Sequence, residues 1–369
     1  MKRRWKILLV ILALSIAGGA FTFFVFPGPV YWVDIYWGRM IDINFFDRQE
    51  DFFPYVVGVD FTADGRNVIV AGYFPDVLLL DAATGTLTTR LKGHDRWLEG
   101  AIVSPDGKHY ASSDWGSRAI VWDAATGEIA QNIVLDVTTA GKEEGDAEIA
   151  EFEVIGLAFH PLKNQLACAT FLAPDKTTIV DLDTGKGEKV FAANPSGTMA
   201  VAYSPDGSLL AAGGDGTEML NLYETESYSK VATLLGREKT VVAVQFTSDG
   251  KHLLTCGDDG AVRFFDVEKR RETGRWSSGQ YWVISCALMP DDRHFLTADP
   301  DGAVRYWSIE SDQPERVIPL HEDWVTSVKP RRDGEAFVSG GKDGLVNVYD
   351  LRDDRIVLTV DTEKFLPEK

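Results

Sequence analysis

An all-β propeller of seven blades, carrying one N-terminal transmembrane helix, is the architecture this sequence predicts, on three observations. Turn aspartates, five of six followed by Gly, recur at intervals of 42 or 43 residues save for one double-length gap, an alternating apolar run precedes each of them, and residues 7–26 carry no charge.

The N-terminal element comes first. Residues 7–26 read ILLVILALSIAGGAFTFFVF, and at about 1.5 Å of rise per residue a helix of that length spans a hydrocarbon core of roughly 30 Å. Lys2, Arg3, Arg4 and Lys6 precede the run, whereas only Arg39 and Arg48 lie between it and Asp51. That bias keeps the N-terminus in the cytoplasm and carries the rest of the chain across, to the periplasmic side of a cell membrane. A cleavable signal peptide is the alternative, with Gly18 and Ala20 as the small residues before the cut and a protein released into the periplasm. Residues 1–26 are thus read as cytoplasmic tip and anchor, and 54–369 as the propeller. Between them, 27–53 form a linker in which Tyr31, Trp32, Tyr36 and Trp37 suit the headgroup region or pack on the propeller's edge.

The repeats follow. Asp64-Gly65, Asp106-Gly107, Asp206-Gly207, Asp249-Gly250, Asp291-Asp292 and Asp333-Gly334 each close a run such as VVGVDFTA or VVAVQFTS, and such a turn after alternating apolar residues signals a hairpin. The interval from Asp106 to Asp206 holds two units plus an insertion, with Leu162-Lys163-Asn164 as the missing turn, which makes seven. A second element recurs as LLLDAATG, IVWDAATG, TIVDLDTG, RFFDV, RYWSI and NVYDL. A four-stranded unit of this kind cannot bury both faces alone, but seven set radially bury them against each other. The last unit owns its outer strand, 355–360, which leaves open how the ring closes.

With its SPDG-like turns and the ends Trp122-Asp123, Phe265-Asp266 and Tyr349-Asp350, the chain resembles the WD-repeat family over about residues 54–361. The resemblance implies a buried hydrogen-bonded set of His, Ser/Thr, Asp and Trp in a blade. His321, Ser339, Asp343 and Tyr349 match it with Tyr for Trp, while Thr297, Asp301 and Trp307 supply three members in blade six. The turns at Asp114 and Asp215 look longer than the pattern. The family reading assigns these residues to structure.

Composition narrows the function. With 45% hydrophobic and 25% charged residues the chain is a folding one, not a disordered or collagen-like one. The formal net charge is −19, and since four basic residues precede the apolar run, residues 27–369 carry −23. Nucleic acid, which requires Lys/Arg neutralisation, is an unfavourable ligand, and a basic protein is a favourable one. Cys168, Cys256 and Cys286 sit in apolar runs without CxxC spacing, and the six histidines show no HxH or HExxH pattern, so neither metal nor cofactor is expected. The Asp-rich segments 299–302 and 258–260 read as tight turns better than as calcium loops. No nucleophile motif stands in a strand-to-helix context, so the chain reads as a non-enzyme. The DAATG and DLDTG turns also occur in quinone-dependent dehydrogenase propellers, which makes a propeller oxidoreductase one alternative function. A ligand-sensing propeller is another.

The candidate site lies nine residues before each turn Asp, where a blade's first strand begins on the face carrying the interblade crossovers. That position reads Tyr55, Trp97, Val154, Gly197, Thr240, Trp282 and Trp324. Its aromatics fall in blades six, seven, one and two, neighbours once the ring closes. A contiguous aromatic arc anchors a protein partner, with Arg96, Tyr281 and Asp323 as its polar rim; packing of each Trp on the next blade is the competing reading. The insertion 138–153, with six acids against Lys142, is a solvated strip or a lid on the same face.

Overall fold

The structure is a computed structural model of the 369-residue chain. It describes residues 54–135, 153–171, 177–194, 197–215, 220–236 and 239–366. It also describes an antiparallel strand pair, Val33–Asp34 with Ile41–Asp42, in the unit preceding residue 52. The apolar run 7–26, most of 27–53 and the acidic insertion up to residue 152 lie outside the described residues. Among the described residues no helix is long and apolar enough to cross a membrane.

Seven four-stranded antiparallel sheets make the propeller, each from strands consecutive in sequence. Blade one comprises Val56–Phe61, Asn67–Gly72, Phe74–Asp81 and Leu87–Leu91. Blade seven comprises Val325–Pro330, Ala336–Gly341, Leu345–Asp350 and Arg355–Asp361. The first strand of each sheet packs on its neighbours in the ring and the fourth faces solvent, as the exposed Lys186–Phe191 strand of blade three illustrates. The apolar core is shared between blades. Ile69, Val77 and Leu91 of blade one pack with Leu98, Ile120 and Trp122 of blade two, since neither sheet covers its own face.

The turns after the first strands work as the residues require. Thr62 donates its hydroxyl to Asp64 (2.7 Å), Ser104 to Asp106 (2.8 Å), Ser204 to Asp206 (2.6 Å) and Thr247 to Asp249 (2.7 Å). Each carboxylate also accepts a backbone N–H two residues on, as at Arg66 and Lys108. The following Gly takes a positive φ, 69° at Gly65 and 72° at Gly107. Blade three solves the turn differently: the imidazole Nδ1 of His160 accepts the N–H groups of Leu162 (3.1 Å) and Lys163 (3.0 Å).

The ring closes without exchanging a strand, because blade seven keeps all four of its own. Thr326 donates to the Val56 carbonyl at 2.5 Å, and Ser327 accepts the Val59 N–H at 3.2 Å. Gly340 lets the blades meet, since a Cβ there would come within 2.4 Å of a Val56 methyl. A C-terminal 3-10 turn, Glu363–Phe365, completes the seam. Thr362 donates to the Pro54 carbonyl (2.9 Å), Arg90 donates to the Phe365 carbonyl (2.8 Å), and Phe365 and Leu366 pack on blade one's core.

The buried His-Ser-Asp-Trp set is complete in blade two, at the turn around Asp114 that looks longer than the pattern. His94 Nδ1 lies 2.6 Å from Asp114, its Nε2 lies 2.7 Å from Ser112, and the Trp122 indole donates to Ser112 at 3.0 Å. In blade seven His321 meets Asp343 (2.9 Å) and Ser339 (2.9 Å). Tyr349 is not a member: its hydroxyl extends past the network and donates to Asp354 (2.7 Å). In blade six the acidic member is Asp299, not Asp301. Thr297 donates to Asp299 (2.8 Å) and accepts from Trp307 (3.2 Å), while Asp301 is drawn out to the Arg305 guanidinium (2.6 Å).

Candidate functional site

The crossover face is built by one register rule. Ahead of the ladder in blades one, two, four, five and seven, next to a bulge in the first strand, one residue's carbonyl accepts the N–H of the residue 18 positions later, just beyond the second strand. Tyr73 bonds to Tyr55 in this way (2.9 Å), Trp115 to Trp97 (3.1 Å), Asp215 to Gly197 (3.2 Å), Asp258 to Thr240 (3.3 Å) and Lys342 to Trp324 (2.9 Å). Pro300 stands at the same offset from Trp282 and has no N–H to donate. A blade thus places a pair of residues, 18 positions apart, on this face.

In blade three the rule corrects the sequence reading by one residue. Glu153, not Val154, holds the position: Glu153 pairs with Phe171, and Val154, ahead of the bulge, is buried as Val56 is in blade one.

Around the closing seam the pairs form two groups of rings joined by Lys342. The Trp282 and Trp324 rings meet edge to face with centroids 5.3 Å apart. Lys342 sits between Trp324 and Tyr55, its Nζ 5.1 Å from one ring centroid and 5.5 Å from the other. Tyr55 contacts Tyr73 (5.7 Å), Tyr73 stacks on Trp97 (5.2 Å, 20°), and Trp115 lies edge-on to both (6.0 and 5.4 Å). These separations are those at which aromatic pairs and cation–π pairs attract.

The structure thus brings Tyr55, Trp97, Trp282 and Trp324 into one chain, linked by three residues the sequence reading missed: Tyr73, Trp115 and Lys342. Their signal was the same 18-residue offset. Burial changes one assignment. Trp97 is only 3% exposed, covered by Tyr73 and Trp115, so those half-buried rings hold the surface over blade two. Of the rim residues, Tyr281 is 90% exposed, and Asp323 is exposed and accepts the Trp324 N–H (2.7 Å). Arg96 is half-buried, its stem laid over Gly116, where a Cβ would lie 2.8 Å from Cδ.

Electrostatics separate structural acids from the site. Burial alone would raise Asp343, but its contact with His321 and two backbone N–H groups hold it below the ordinary carboxylate range. Asp299, deep in blade six, is raised by burial against the pull of Arg305. Asp259 is held by Arg263 at 2.6 Å, so the Asp-rich turns of blades five and six have arginine partners. Asp81, Asp123 and Asp181 of the DAATG and DLDTG turns are lowered by Thr84, Thr126 and Thr184, whose hydroxyl and N–H groups they accept. Burial pushes the Cys168 thiol up to about 12, which makes it unreactive.

The model of the WD domain, G-beta repeat, matches residues 85–123, 185–217, 228–266, 273–308 and 312–350, just over half of the chain. The chain belongs to the WD40 repeat family. Among relatives, the WD repeat-containing protein VIP3 of Arabidopsis thaliana is 26% identical over 131 residues, 32% of this chain and 40% of that one. The intraflagellar transport protein 122 homolog of Danio rerio is 24% identical over 256 residues, covering 61% of this chain and 21% of that one. Pre-mRNA-processing factor 19 homolog 2 of Arabidopsis thaliana is 22% identical over 222 residues, 59% and 39% respectively. The chain thus spans at most two fifths of each of these relatives' lengths, and the shared part is the repeat. WD40 propellers generally serve as protein-interaction scaffolds.

Proposed function

We propose that this WD40 protein is an exported, membrane-anchored scaffold that binds a protein partner through the crossover face. Residues 7–26 would provide the anchor, or, if cleaved, the export signal. The observation that carries the binding reading is the run of rings from Trp282 and Trp324, across the Lys342 ammonium, to Tyr55, Tyr73 and Trp115. Such clusters of partly exposed Trp and Tyr are where binding energy concentrates, and the net charge of −19 draws basic surfaces towards the molecule at long range. An oxidoreductase reading of the DAATG and DLDTG turns loses support, since their carboxylates are engaged in capping the turns themselves.

Photo-crosslinking in intact cells tests this, with the reactive residue at position 324 and, as control, at position 207 in the turn on the opposite face. A discrete adduct from 324 that is absent from 207 is the expected outcome. No adduct at 324, or the same adducts from both positions, would return the aromatic residues to blade packing.

A further inference from the structure

Lys342 is out of character with the face it occupies. The equivalent position in the other blades holds Tyr73, Trp115, Phe171, Asp215, Asp258 or Pro300. It stands at the seam between blades seven and one, in the middle of the aromatic run, half-buried, with its ammonium between the rings of Trp324 and Tyr55. Among the described residues no carboxylate lies within ion-pair distance of it, although acids outnumber bases 56 to 37 in the chain. Asp343, next to it in sequence, is engaged by His321 and two backbone N–H groups, and Asp323, next to Trp324, by the Trp324 N–H.

Two consequences follow from the chemistry of an ammonium held this way. One face of Trp324 and one of Tyr55, those a partner's lysine or arginine would seek at this point, are already taken by the chain's own cation. The ammonium has three N–H donors and no acceptor capacity, and the rings satisfy it only as a charge, not as a donor. A carboxylate is the group that answers both conditions, since it accepts charge-assisted hydrogen bonds while apolar neighbours rest on the flanking rings.

We propose that Lys342 is a specificity residue: the aromatic face takes an extended protein segment that places an Asp or Glu side chain at Lys342, with apolar side chains on either side over Trp324 and Tyr55. This rests on the crossover face being the binding face, and it reverses locally what the net charge suggests globally. The long-range field favours a basic partner, whereas the contact point selects an acidic residue within it.

The test uses the full chain and three pools of fluorescein-labelled octapeptides, alike in randomised aromatic and aliphatic positions but with a central Glu, Gln or Lys, read by fluorescence anisotropy. The Glu pool is expected to bind about tenfold more tightly than the Gln pool, the size of a charge-assisted hydrogen bond's contribution. Lys342→Met should bring the two pools to within about twofold of each other, and Lys342→Arg, which keeps the charge, should retain the preference. Trp324→Ala should weaken both pools. If wild-type protein binds Gln or Lys pools as well as Glu while Trp324→Ala still weakens them, the role of Lys342 is overturned and the binding face stands. If no pool binds, or Trp324→Ala changes nothing, the face itself is overturned together with Lys342.

Discussion

Two halves of the same face make the most instructive comparison in this molecule. Blades one, two, six and seven fill the paired positions with Tyr55 and Tyr73, Trp97 and Trp115, Trp282 and Pro300, and Trp324 and Lys342. Blades four and five fill them with Gly197 and Asp215, and Thr240 and Asp258, with the same backbone bond in each blade of 3.2 and 3.3 Å. There the link from blade to blade is polar, Thr240 donating to Asp215 at 3.3 Å. Since the polar blades form the same bulge and the same ladder as the aromatic ones, the blade does not require a large ring at this position. The rings that remain half-exposed are therefore available for a purpose other than folding, and Trp97, which is buried, is the exception that serves packing.

The largest effect should come from that exception. Trp97→Ala removes a fully covered ring and should cost about 3–5 kcal/mol of stability, whereas Thr240→Ala at the matching site of blade five should cost only about 1 kcal/mol, the value of one hydrogen bond. Denaturant melts of the two variants decide it; equal losses would mean that both halves of the face depend on this position for folding. Next comes Trp324→Ala, expected to weaken partner binding by about 2 kcal/mol or more while destabilising less than Trp97→Ala, because the ring is only half covered. A binding loss no larger than that from Thr240→Ala would erase the distinction between the halves.

A smaller effect probes the blade that joins neither half cleanly. The imidazole of His160 takes the place of the hydroxyl–carboxylate pair used at Thr62 and Asp64, and burial foremost, with Lys163 nearby, lowers its pKa from the ordinary 6.5; Glu226 and the Gly207 carbonyl oppose the shift. Nδ1 must stay unprotonated to accept two N–H groups. The unfolded chain therefore takes up this proton first as pH falls, so the site's contribution is complete above pH 6.5 and is lost as pH drops through the lowered folded value. Melting temperatures followed between neutral and mildly acidic pH should fall more steeply in the wild type than in His160→Thr; parallel curves would show that the imidazole does not couple to folding. The smallest effect belongs to Tyr281→Ala, which at 90% exposure should change stability by no more than about 0.5 kcal/mol. A larger change would show that the rim is part of the blade-six fold.

Much of the site was legible because the repeat is a ruler. Counting back from Asp64, Asp106, Asp291 and Asp333 finds Tyr55, Trp97, Trp282 and Trp324 without coordinates. Tyr73, Trp115 and Lys342 escaped because they belong to the loop beyond the second strand, and nothing in a linear pattern says that this loop and the crossover share a face. Blade three slipped by one residue because its turn, built on His160, has no Asp to count from. The set in blade two was overlooked because Asp114 lies two residues after Ser112, where in blade seven Asp343 lies four after Ser339, although both carboxylates reach the same imidazole atom.

By itself the sequence determined the number of blades, their strand order and the chemistry of their turns. Those features arise from alternation along single strands and from Asp, Gly and hydroxyl residues acting within a few positions of one another. Only the tertiary structure decided which rings touch, that Trp97 lies beneath rather than on the surface, and that Lys342 of the last blade stands between a ring of its own blade and one of the first. Those outcomes depend on the closure of the ring, which brings residues some 270 positions apart into hydrogen-bonding contact at Thr326 and Val56, and no local rule of the chain contains that distance.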